Sequence, residues 1–180
     1  MKNSHRVLNI PGLLLALTLS GCAGRPDEQL QLAQKAMDEA KEQRAADFAP
    51  GDWKSADEAW QEAQGFMGKE QWSQAATALT RSRSRFERAR DIAKGKRDDV
   101  SREVQNLEKT VGIQYNSLKE SVQKKRVSAK VKKSLDDSIQ EIEKAIGKLR
   151  SEIEGGEYLQ ARTTAQTTVR QIFEAEQLIR

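Results

Sequence analysis

The chain has 180 residues, with 31 basic and 27 acidic side chains, one histidine and one cysteine. That length fits one ordinary domain. The near-balanced charge makes no general case for a nucleic-acid partner, and a single cysteine can close no internal disulfide.

The chain opens with a basic stretch holding Lys2 and Arg6. An apolar run follows, from Leu8 and Ile10 through Leu13-Leu14-Leu15-Ala16-Leu17-Thr18-Leu19. A positive start followed by a short apolar run reads as a secretory signal. It is too short for a membrane-spanning helix, which needs roughly 20 apolar residues. The run stops at Leu19-Ser20-Gly21-Cys22.

Those four residues resemble the lipobox of bacterial lipoproteins. The resemblance implies that Leu19, Ser20 and Gly21 are read by a dedicated signal peptidase and that Cys22 carries a diacylglyceryl group. Several acyl chains on one residue would hold the protein permanently, since each buried methylene adds about 0.8 kcal/mol. No aspartate follows Cys22; Ala23 does. In enteric-type lipoproteins this favours the outer membrane, facing the periplasm, with the cell surface as the other placement.

Cleavage before Cys22 would remove Lys2, Arg6 and His5 and leave 29 basic and 27 acidic residues. With Cys22 taken by lipid, the body holds no histidine or free thiol for a nucleophilic triad or a usual zinc site. Asp and Glu are abundant but spread along charged faces, where solvation explains them. The expectation is no enzyme, no metal and no cofactor beyond the lipid.

The body is rich in helix formers, and its apolar residues recur at helical spacing. Residues 22–27 read as a short tether. A first helix follows Pro26, with Leu30, Ala33, Met37 and Ala40 on one stripe. Pro50-Gly51-Asp52 reads as a turn and N-cap. The next helix carries Trp53, Ala56, Trp60, Ala63 and Met67 and ends at Gly68. From Trp72 a period of seven runs through Leu79, Phe86, Ala93, Val100 and Leu107, with Val104, Val111 and Leu118 beside it. The kept phase predicts one helix from about 71 to 122, straight through Gly95, despite a glycine cost of about 1 kcal/mol. After an interruption at 124–130, Val131, Leu135, Ile139, Ile142, Ile146, Leu149 and Ile153 form the most regular coiled-coil-like stripe. Gly155-Gly156 ends it, and a last helix turns Tyr158, Ala161, Ala165, Val169 and Ile172 inward.

Two segments align at an offset of 86: "GKEQWSQAATAL" at 68–79 and "EGGEYLQARTTA" at 154–165. Trp72 falls on Tyr158, Ala75 on Ala161, Phe86 on Ile172 and Ala89 on Ala175. Each unit reads as a helical hairpin whose helices meet at small alanines. The hairpins look like tetratricopeptide units, although 86 is far from that family's period of about 34. Residues 49–93, with Ala49-Pro50 and "GKEQWSQA", also resemble uncharacterised alanine-rich helical-hairpin envelope lipoproteins.

The fold expected is all-α: an elongated bundle of about five helices, with hairpins at 50–93 and 130–180 joined by the long helix. The tryptophans read as filling for an alanine-rich core. Arg81, Arg83 and Arg85, with Lys124, Lys125 and Arg126, are the candidate residues for an anionic partner. The function expected is a lipid-anchored, non-catalytic envelope scaffold or adaptor that binds another protein through its helical faces. The alternative is a binding module for an anionic polymer, peptidoglycan or lipopolysaccharide. Nucleic acid is not expected for an exported chain.

Overall fold

One helix of 53 residues organises everything else. In the computed structural model, which describes residues 24–179, the elements are α1 (Asp27–Glu42), α2 (Ala45–Phe48), α3 (Pro50–Gly68), α4 (Trp72–Lys124), α5 (Ala129–Glu154) and α6 (Tyr158–Gln177). At 1.5 Å per residue, α4 is about 80 Å long. No strand occurs among the described residues.

The first half of α4 packs against α1 and α3, and its second half against α5 and α6. Each half is a three-helix bundle running up, down and up. In the first, Arg81 of α4 pairs with Glu62 and Arg88 with Asp52, which sets α3 antiparallel to α4. Arg90 pairs with Glu39 while Ala33 packs beside Leu79, so α1 runs parallel to α4. In the second bundle, Glu108 meets Arg150 and Glu103 meets Arg162, setting α5 antiparallel and α6 parallel. Thus α1 and α6 follow one another along α4. At their joint, Arg44 Nη1 donates to Glu157 Oε2 at 2.7 Å, and Leu159 packs into the first bundle.

The helix is continuous through Gly95, as its heptad phase predicts. A Cβ there would meet nothing within 4 Å, so no close approach demands glycine. The buried row is more complex than one heptad. Leu79, Phe86 and Ala93 are fully buried, and then burial passes to Val104, Val111 and Leu118. Val100 and Leu107, which continue the first row, are only half-buried. The step from 93 to 104 is eleven residues, three turns, in place of seven. Such a four-residue insertion rotates the seam, and it falls where α4 exchanges one pair of partners for the next.

The offset of 86 describes backbone as well as side chains. The helices before the two turns end at Gly68 and Glu154, and those after begin at Trp72 and Tyr158. Gln71 N donates to Phe66 O at 3.0 Å, as Glu157 N does to Glu152 O at 2.8 Å. The left-handed residue is Glu70 (φ 58°) in one turn and Gly156 (φ 72°) in the other. Two buried hydroxyls also correspond, Ser82 and Thr168. Ser82 Oγ donates across to Ala56 O at 3.2 Å, which only a close α3–α4 approach allows, whereas Thr168 Oγ1 turns back to Thr164 O of its own helix at 2.7 Å.

Glu70 therefore holds, with a Cβ, a conformation its counterpart fills with glycine. A left-handed non-glycine residue costs about 1–2 kcal/mol, and part of that is offset because glycine gains entropy when unfolded. Glu70→Gly is expected to stabilise the first bundle by about 0.5–1 kcal/mol, a rise in Tm of roughly 2–4 °C in a thermal melt. An unchanged or lower Tm would refute this account of the turn.

Two sequence expectations need correction. Asp52 does not cap α3: the helix begins at Pro50, whose fixed φ suits the first helical position, and Asp52 sits in the first turn, paired with Arg88 at 3.1 Å. The helices also number six among the described residues, because residues 45–48 wind into the one-turn α2 before Pro50. Ala45 and Phe48 of that turn are buried in the first core. That burial holds residues 45–48 in a helical turn.

Candidate functional site

Cys22, Leu19, Ser20 and Gly21 lie outside the described residues. Arg81, Arg83, Arg85, Lys124, Lys125 and Arg126 are all placed, and their surroundings divide them.

The arginines of α4's first half are engaged. Arg81 meets Glu62 of α3 at 2.6 Å, and Arg83 meets Glu87 one turn along at 2.8 Å. Arg85 is half-buried and donates to Ser55 O at 2.9 Å. Alternate cations on α4 thus reach acids or carbonyls already supplied by the bundle. Two of the three tryptophans behave as packing. Trp53 and Trp60 are half-buried over the alanine cores, and the Trp53 and Phe86 ring centroids lie 5.1 Å apart. An open groove of roughly 880 Å³ separates α1 from α3, with Leu30 and Trp60 among charged and amide side chains.

The far end of the rod is different. α4 ends at Lys124, residues 125–128 turn, and Ser128 Oγ accepts from Val131 N at 3.4 Å to start α5. Val122, Val127 and Val131 pack inward on the second core, so the intervening polar residues are turned out. Residues 119–133 hold seven cations (Lys119, Lys124, Lys125, Arg126, Lys130, Lys132, Lys133) and one acid, Glu120. Lys124 meets Glu120 at 3.2 Å, Lys125 donates to Ile179 O at 2.7 Å, and Lys119 lies over the Tyr115 ring. Arg126, Lys130, Lys132 and Lys133 are exposed and make no ion pair among the described residues. Lys130, Lys132 and Lys133 are not among the candidates named from the sequence. Only the hairpin brings them to one tip.

Just above the tip the charge reverses. Asp137, Glu141 and Glu174 border a groove of roughly 410 Å³ between α5 and α6, with Leu178 at its edge. Further up, the Tyr115 hydroxyl meets Glu143 and ties α4 to α5. Burial, reinforced by that carboxylate, pushes the phenol up to about 12.

No helix among the described residues is long and apolar enough to cross a membrane. No group of three or more His, Cys, Asp or Glu among them is placed to hold a metal ion. Comparison with protein-family models, with curated proteins and with solved structures finds no match to the chain.

Proposed function

We propose that this chain is a lipid-anchored, non-catalytic scaffold or adaptor of the bacterial cell envelope. In this reading Cys22 carries the lipid, the outer membrane holds it, and the helical body extends into the periplasm to engage another envelope protein. The supporting observation is α4 itself: one helix of 53 residues, flanked along both halves by packed partners, which makes a stiff spacer about 80 Å long. The lipobox-like Leu19-Ser20-Gly21-Cys22 supplies the reason to place the tether at the chain's start.

The test begins with Cys22→Ala. The variant is expected to leave the membrane fraction while the unaltered protein stays. A variant that still fractionates with membranes would remove the lipid from the proposal. Crosslinking in intact cells, followed by mass spectrometry, then asks for a partner. One dominant envelope protein supports the adaptor. Recovery of peptidoglycan or lipopolysaccharide with no enriched protein supports the polymer-binding alternative instead.

A further inference from the structure

The cations at the α4–α5 tip contribute little to the fold. Arg126, Lys130, Lys132 and Lys133 have no acidic partner within ion-pair distance among the described residues. Lys130 and Lys132 also occupy the first turn of α5, which contains no acid, and Lys133 follows directly. A helix N-terminus carries partial positive charge and favours acids there. The arrangement thus opposes the helix dipole, and mutual repulsion adds to the cost. The arginines near Ser55 and Glu62, by contrast, are spent on packing contacts within the bundle.

Position is the second observation. Ala33 of α1 lies beside Leu79, so the start of α1 at Asp27 is level with the start of α4. The tip at Lys124 is then on the order of 75 Å from the end where the chain enters the bundle. Shape is the third. The longest run of cations, residues 119–133, lies at the end of the rod, and Asp137, Glu141 and Glu174 lie immediately behind it. A polyanion laid along the rod would meet those carboxylates, whereas a flat anionic surface touching the end meets mostly cations, the one acid of the segment, Glu120, being paired with Lys124. Six of the seven cations are lysines, flexible point charges suited to a fluid array of phosphates more than to bidentate recognition of one group.

We propose that the tip formed by residues 119–133 docks end-on against an anionic phospholipid surface. With the tether at the other end, which rests on the reading of Cys22 given above, the protein would bridge two surfaces. The attraction is electrostatic and acts within about a Debye length, roughly 10 Å at moderate salt.

The test reconstitutes the full lipidated protein into neutral phosphatidylcholine vesicles and adds a second, fluorescent vesicle population. Capture of phosphatidylglycerol-rich vesicles is expected, with no capture of neutral ones and loss at high ionic strength. The variant Arg126→Gln/Lys130→Gln/Lys132→Gln/Lys133→Gln is expected to weaken capture by about a hundredfold or more. Its Tm should be equal to or above that of the unaltered protein, because the charges removed oppose the helix dipole. Arg81→Ala/Arg83→Ala should capture normally. Equal capture of neutral vesicles, undiminished capture by the fourfold variant, or binding to peptidoglycan sacculi in place of anionic vesicles would overturn the proposal. The tether is read separately, by flotation of the protein with the first vesicles. If it fails to float, the anchor reading falls, and the tip is still tested by direct sedimentation with anionic vesicles.

Discussion

Phe86→Ala is expected to destabilise the first bundle by about 3–5 kcal/mol, the usual cost of emptying a buried aromatic site. Phe86 is fully buried, and its neighbours in the core are mostly alanines. Alanines cannot lean far into a void, because they have no side-chain torsion with which to do so. The Trp53 ring, 5.1 Å from Phe86, would lose its main aromatic contact. All three tryptophans, Trp53, Trp60 and Trp72, belong to the first bundle. Tryptophan fluorescence in a urea titration therefore reports this half alone. A midpoint that barely moves would show that Phe86 does not hold this core together.

Ile142→Ala is the matching experiment in the second half, expected to cost about 2–4 kcal/mol there. Ile142 is fully buried with Leu135 and Leu149 on α5, facing Val104, Val111 and Leu118 of α4. By the offset of 86 it occupies the place of Ala56, where a close helix–helix approach leaves no room for a larger side chain. In the second bundle the corresponding space is filled by the isoleucine. Circular dichroism, which sees both halves, should gain an early transition, while the tryptophan-detected midpoint stays nearly unchanged. The link between halves is thin: α4 itself, the Arg44–Glu157 pair, and the partly buried Val100 and Leu159. If both probes shift together, α4 couples the halves into one cooperative unit and this separation is wrong.

Most of the architecture was legible because the body is written in one period. The rows at Leu79–Phe86–Ala93 and Leu135–Ile142–Leu149 announce which faces are buried, and both rows are fully buried. The continuity of α4 followed from phase alone. What stayed hidden needed partners to be known. The passage of burial from Ala93 to Val104 depends on which helices lie alongside. The one-turn α2 depends on the pocket that receives Phe48. The left-handed Glu70 was masked by Gly68, two residues earlier, which drew attention as the turn residue. At the candidate site, composition marked the basic runs equally. Only folding brings Glu62 beside Arg81 and Asp52 beside Arg88, and so distinguishes those cations from Arg126, Lys130, Lys132 and Lys133 at the tip.

The correspondence between the two turns has a further consequence for length. α6 stands to the second bundle as the first part of α4 stands to the first, and Ile179 falls on Ala93. The Glu103–Arg162 pair places the start of α6 near residue 99 of α4, so one repeat advances the rod by about 27 residues of helix, some 40 Å. A copy of residues 94–179 spliced after Ile179 would continue α6 as α4 continues beyond Ala93, and a third bundle would form on it. Such a chain is a ruler graduated in 86-residue steps, whose span is set by the number of units and is independent of what either end holds.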